Sequence, residues 1–127
     1  MAEKSKHGTF CWNELMTHDM GGARKFYTEL LGWGASDMPM AGGQYTVFKA
    51  AEAQAGGMMK IDPKWGEVPS HWMAYITVDD VDASTKKAEK LGGKVIVQPT
   101  DIPTVGRFSV ISDPTGATVG LITPPKK

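Results

Sequence analysis

Apolar and polar positions fall into short alternating runs separated by segments of helical spacing. Residues 9–17, TFCWNELMT, are aromatic and apolar with one charge and predict a strand. Asp19 then caps a helix in which Met20, Ala23, Tyr27, Leu30 and Leu31 recur at helical spacing, and Gly32 stands where a left-handed C-terminal cap belongs. Gly21-Gly22 weakens its first turn by about 1 kcal/mol per glycine relative to alanine. After Gly42-Gly43, QYTVFKA predicts a second strand, and AGGMMKI a third that ends at Asp62-Pro63. DPKWGEVPS, with two prolines and a glycine, reads as a linker. The pattern then restarts. WMAYITV is a strand, Asp79 or Asp80 caps a helix carrying Val81, Ser84, Ala88 and Leu91 on one face, and Gly92-Gly93 stops it. KVIVQ, RFSVIS and ATVGLIT are strands, QPTDIPT is a loop and DPTG a tight turn. The start, MAEKSKHG, reads as frayed and the tail, PPKK, as exposed.

The restart is an internal repeat. At a shift of 60, Trp12 falls on Trp72, Thr17 on Thr77, Asp19 on Asp79, Ala23 on Ala83, Glu29 on Glu89, Leu31 on Leu91 and Gly32 on Gly92. A shift of 63 aligns GQYTVF with GRFSVI and Gly57-Met58-Met59 with Gly120-Leu121-Ile122. Constant register and matched caps are more than two generic strand-helix units would share. The chain reads as an α+β protein of two tandem βαβββ modules, residues 9–61 and 71–123, joined by a linker at 62–70 within one domain spanning 7–124.

Composition narrows the partners. A chain of 127 residues, 41% hydrophobic and 22% charged, can bury a core without a metal or disulfide staple. Its 14 basic and 14 acidic side chains cancel, which removes the electrostatic case for nucleic acid or an anionic membrane. One cysteine, Cys11, excludes an internal disulfide and a multi-cysteine zinc site and fits a reducing cytosol. The chain has no apolar run of membrane-spanning length and no signal-peptide core, so a cytoplasmic location is expected. The 15 glycines, 8 methionines and 4 tryptophans fit many strands, tight turns and an adaptable apolar lining.

With ARKFYTELLGW (23–33), VDDVDA (78–83), LGGKV (91–95) and GRFSVISDPTGATVGLI (106–122), the chain resembles the vicinal oxygen chelate superfamily. That superfamily includes glyoxalase I, bleomycin-resistance proteins and extradiol dioxygenases, and the chain is most similar to bacterial proteins related to lactoylglutathione lyase. The resemblance implies modules whose sheets curl into a half-open barrel around a ligand cavity, often in a homodimer. It also implies a divalent metal held by His, Gln and Glu from the first and last strands of each module. Here the first-strand positions fall on Trp12 or Asn13 and on Trp72 or Met73, and the last-strand positions near Gly57 and Gly120. Tryptophan, methionine and glycine side chains cannot serve as such ligands and asparagine would be a poor single oxygen ligand, so no cofactor is expected. Glu14 with His71 is the one metal-ligand pair kept, and a third ligand is missing.

By family parity, Trp12, Glu14 and Met16 face the cavity from the first strand, with Met73, Tyr75 and Thr77 opposite. Gly57 and Gly120 let a ligand approach the backbone. Glu14 is either the partner of a cation such as Arg107 or a base and the candidate catalytic residue. Arg107 either pairs with a carboxylate or binds an anionic ligand group. Trp65 covers the linker or lids the cavity, and Cys11 is a small buried hydrophobe. The expected function is binding, sequestering or transforming an apolar metabolite or antibiotic without metal. The alternatives are a metal-dependent lyase or isomerase of the glyoxalase I type and a dimeric interaction module that is not an enzyme.

Overall fold

The computed structural model of the protein describes residues 6–40, 43–65, 67–102 and 105–125. Residues 1–5 of the expected frayed start, Gly42, Gly66 of the linker, Pro103 and Thr104 of the QPTDIPT loop, and the last two lysines of the tail lie outside the described residues. The chain is mixed α+β. In order it forms β1 (Phe10–Thr17), α1 (Met20–Leu31), β2 (Gly34–Met40), β3 (Gly43–Ala50), β4 (Ala53–Lys60) and a 3-10 turn (Pro63–Trp65). Then come β5 (His71–Thr77), α2 (Val81–Lys90), β6 (Lys94–Ile102), β7 (Gly106–Ser112) and β8 (Thr118–Thr123). Two compact units result, one of residues 13–72 and the other of residues up to Trp12 together with 73–127, so the boundary falls inside β1 and β5.

In the unit of residues 13–72 the strand order is β2-β3-β4-β1. β1 runs parallel to β4, with Glu14 opposite Gly57 and Met16 opposite Met59. Asp19 caps α1 through its carboxylate, which accepts from the Gly22 amide, and Gly32 closes it in the left-handed conformation at φ 72°. The helix covers a cluster of Leu15, Phe48 and Met58, against which Met20, Ala23, Tyr27 and Trp33 pack. Leu30 and Leu31, part of the same apolar series, instead stand 61% and 51% exposed. β2 was not expected. GASDMPM carries glycine, serine, aspartate and proline, all poor strand formers, but it pairs only with β3 at the sheet edge, where a missing proline N–H is tolerated. Arg24 on α1 anchors it through Asp37 at 2.6 Å.

The other unit orders its strands β5-β8-β7-β6, with β5 parallel to β8. Of the two candidate caps it is Asp80 that closes the first turn of α2, accepting from the Ala83 amide. The inward face of α2 differs from expectation. Val81 and Thr85 are buried, whereas Leu91 is 68% exposed. Thr85 enters the core because its hydroxyl donates to the Val81 carbonyl at 2.6 Å and shares a 2.8 Å hydrogen bond with the Ser109 hydroxyl, so neither polar group is left unsatisfied. Val78, Val81, Ile111 and Leu121 form the cluster beneath the helix. β6 runs on through Pro99 into the expected loop, with register shifts against β7 that absorb the extra residues. The DPTG turn forms as expected, Asp113 Oδ1 accepting from the Thr115 and Ala117 amides and the Thr115 hydroxyl.

Residues 6–8 are held. The Gly8 amide donates to the Thr77 carbonyl at 2.7 Å, and His7 Nδ1 accepts from the Asp79 amide at 3.0 Å. The linker is likewise tied down. His18 donates its backbone amide to the Ser70 hydroxyl, and its Nε2 lies 2.5 Å from the Val68 carbonyl. Trp65, at the end of the 3-10 turn, is half-buried.

Candidate functional site

Because strand side chains alternate, burying Leu15 under α1 turns Glu14 and Met16 to the opposite, helix-free face of the sheet. There Glu14 is 1% exposed, an unusual position for a carboxylate, among buried Met16, Tyr45, Val47 and Met59. Gly57 is buried directly opposite Glu14, and the Tyr45 hydroxyl occupies the space that a Cβ at Gly57 would need. The glycine thus admits a phenol from β3, and the space expected for a ligand against the backbone holds the protein's own side chain. Trp12, two residues before Glu14 on β1, is 7% exposed.

The second unit repeats the device with a different strand. Tyr75 on β5 lies over Gly120 on β8, its ring carbons filling the place of a Cβ there. Phe108 meets it edge to face, with ring centroids 6.0 Å apart. Ile76 packs under α2, so Tyr75 and Thr77 point to the other face, and Met73 shares their side of the strand. Thr77 Oγ1 is buried and has no hydrogen-bond partner of standard geometry among the described residues. The Cys11 thiol, a weak hydrogen-bonding group, is its neighbour; burial pushes that thiol's pKa up, away from nucleophile chemistry, and the contact with Thr77 opposes the rise only in part.

The remaining expected residues lie elsewhere. Arg107 pairs with carboxylates of its own unit: its Nε and one terminal nitrogen bind Asp82 at 2.9 and 3.1 Å, and the other binds Asp101 at 3.2 Å. The Asp82 and Asp101 carboxylates raise the Arg107 pKa further above its ordinary value, and the guanidinium holds Asp82 below the usual carboxylate range. These groups line an open cleft of about 530 Å³ beside the start of α2, together with Asp79, Asp80 and Thr123. His71 is half-buried, with Nδ1 2.7 Å from the Pro69 carbonyl. The donor set does not fit the metal centre that the resemblance implies. Its positions hold indole or a single amide, indole or thioether, and glycine, and among the described residues no three His, Cys, Asp or Glu side chains group as metal ligands.

The sequence profile of the Glyoxalase/Bleomycin resistance protein/Dioxygenase superfamily matches residues 9–121. The chain belongs to this superfamily. Its glyoxalase-superfamily relatives include CFP32 of Mycobacterium tuberculosis, provisionally named a glyoxylase, 48% identical over 118 residues that make up 92% of this chain and 44% of that protein. DnrV of Streptomyces peucetius, named as an anthracycline biosynthesis protein, is 35% identical over 87% of this chain and 45% of its own length. The chain therefore spans less than half the length of these relatives. Among solved structures, methylmalonyl-CoA epimerase from Mycobacterium tuberculosis shares the fold at a TM-score of 0.65, with 16% identity, covering 99% of this chain and 94% of the epimerase. A second epimerase, from Streptomyces coelicolor, superimposes at 0.66 with 15% identity over 95% of this chain and all of its own.

Tyr45 and Phe108 are the residues that sequence reasoning missed in this glyoxalase-superfamily chain. The signal was present, since the shift of 63 that aligns GQYTVF with GRFSVI sets Tyr45 on Phe108 and Gly57 on Gly120. The repeat marks the two aromatics as one position used twice, but it does not tell which ring covers which glycine: Tyr45 lies over Gly57, whereas the ring over Gly120 is Tyr75 and Phe108 packs against that ring.

Proposed function

We propose that this superfamily member binds an apolar aromatic small molecule on the helix-free faces of its sheets, sequestering or transforming it without a metal. The reading rests on one observation. Where a ligating carboxylate would stand in each module there is a glycine, and a tyrosine occupies the space above it. Buried aromatic or polarisable side chains are present in each unit, Met16 and Met59 in one and Trp12, Met73 and Tyr75 in the other. The name of DnrV adds support, because an anthracycline is a fused, largely planar ring system of the kind such side chains suit. If the bound molecule is transformed, the buried Glu14 carboxylate is the candidate base for taking its proton. A cytoplasmic homodimer is the assembly that goes with this reading.

Thermal shift and tryptophan fluorescence with the anthracycline daunorubicin test it, with Trp12→Ala as the control. A rise in melting temperature in the parent that the variant loses supports the proposal. No binding by either counts against it and favours an interaction module with no ligand. A second reading, a metal-dependent glyoxalase-type lyase or isomerase using Glu14 and His71, draws on the name of CFP32. Metal analysis of the native protein decides between them: near-stoichiometric nickel, zinc or iron overturns the metal-free reading. Turnover of a glutathione hemithioacetal is expected to be absent or very slow.

A further inference from the structure

Helix α1 differs from α2 in what it shows to solvent. It has no fully buried residue, while Phe26 and Leu30 are 57% and 61% exposed. At the shift of 60 that relates the modules, these positions correspond to Lys86 and Lys90, both exposed on α2. One module therefore carries lysine at the solvent positions where the other carries large apolar side chains. Phe26 lies one turn before Leu30 on the same flank of α1, and the patch continues through Tyr27. The Phe26 and Tyr27 rings meet edge to face at 5.0 Å, and Trp72, 40% exposed, meets Tyr27 at 5.4 Å and donates its indole N–H to the Tyr27 hydroxyl at 2.9 Å. Phe26, Leu30 and Trp72 together expose on the order of 300 Å², the scale at which apolar patches on small proteins are commonly functional.

We infer that this face of α1 docks on the same face of a second copy of the chain about a two-fold axis. The charges around it choose the partner. Lys25 and Glu29, 3.0 Å apart and well exposed, sit beside Phe26 and Leu30 on the solvent side of the helix. A rim of one sign would call for an oppositely charged partner, but a rim with one cation and one anion a turn apart is complementary to itself. An antiparallel pairing of two α1 helices centred near Tyr27 and Thr28 sets the Phe26 and Leu30 side chains together and brings each Lys25 beside the other copy's Glu29. With no net charge, two copies do not repel. The apolar patch is smaller than the roughly 800 Å² per partner of a standard interface, so the association is expected to depend on concentration. This inference rests on the homodimer reading above and assigns it a face.

Sedimentation of the full chain over about 1–200 µM tests it. The wild type is expected to shift from monomer to dimer, and Phe26→Lys with Leu30→Lys, which installs the residues of α2, to weaken the dimer at least tenfold with unchanged circular dichroism. Lys25→Glu and Glu29→Lys are each expected to weaken it, and the two together to restore it. A wild type that stays monomeric overturns both the face and the homodimer reading. A dimer that survives the lysine pair, or a charge reversal that does not rescue, overturns the face alone and leaves the homodimer standing.

Discussion

A hydroxyl buried without a partner costs about 1–3 kcal/mol, and among the described residues Thr77 Oγ1, on the helix-free side of β5, has beside it only the weakly bonding Cys11 thiol. Valine has nearly the same shape and no hydroxyl. Thr77→Val is therefore expected to raise unfolding stability by about 1 kcal/mol, measured by chemical denaturation. A loss of stability would show that the hydroxyl is satisfied in solution. Gly57 makes the opposite case. An added Cβ meets the Tyr45 hydroxyl, so Gly57→Ala is expected to cost about 1–3 kcal/mol through overpacking. Combined with Tyr45→Ala, which removes the obstructing oxygen and ring carbons, the Gly57→Ala change should cost less than it does alone. Strictly additive effects in that double-mutant cycle would refute the clash. Neither feature was visible in the sequence, because each depends on which residue of a neighbouring strand lies across the ladder.

The helix caps were legible because capping chemistry is local. Asp19 and Asp80 each place a carboxylate over their own first turn, and each is expected to cost about 1 kcal/mol when replaced by alanine, read from thermal unfolding. Burial of the helices was less legible. Leu30, Leu31 and Leu91 satisfy the helical period yet remain exposed, while polar Thr85 is buried by virtue of a partner 24 positions away, Ser109. Periodicity reports which residues could share a face, and the position of the sheet decides where that face ends. β2 went unseen for a related reason, since its stability comes from pairing with β3 and not from its own side chains. At the candidate site, alternation along β1 and β5 was readable once the repeat was recognised. The occupants of the space over Gly57 and Gly120 were not.

For the whole molecule, balanced charge hides an uneven distribution of ion pairs. The Thr46 hydroxyl and then Arg24 lower the Asp37 pKa, Arg107 lowers that of Asp82, and the Thr115 hydroxyl and nearby amides lower that of Asp113. For each, the folded pKa lies below the unfolded one, so between the two the unfolded chain binds more protons. Their stabilisation is thus complete above the ordinary carboxylate range and is lost as pH falls through the lowered folded values. Melting temperature is expected to hold from neutral pH to about 5 and to fall below about 4. Asp37→Asn should flatten part of that decline, and an unchanged acid limb in this variant would remove Asp37 from the account. Belonging to the superfamily fixes the fold at this scale, and the relatives of about twice the length show the same unit used within larger proteins.

The phenol over Gly57 also bears on how such a site can change over generations. A chain that carries Tyr45 cannot gain a carboxylate at position 57 in one step, because any side chain there meets the tyrosine first. Shortening Tyr45 must come first, and that step alone opens a hole in a packed sheet with no function to reward it. Tyr75 sets the same condition at Gly120. The two tyrosines therefore act as a ratchet: each makes the gain of a carboxylate at its glycine a matter of ordered double substitutions, the first of them disadvantageous.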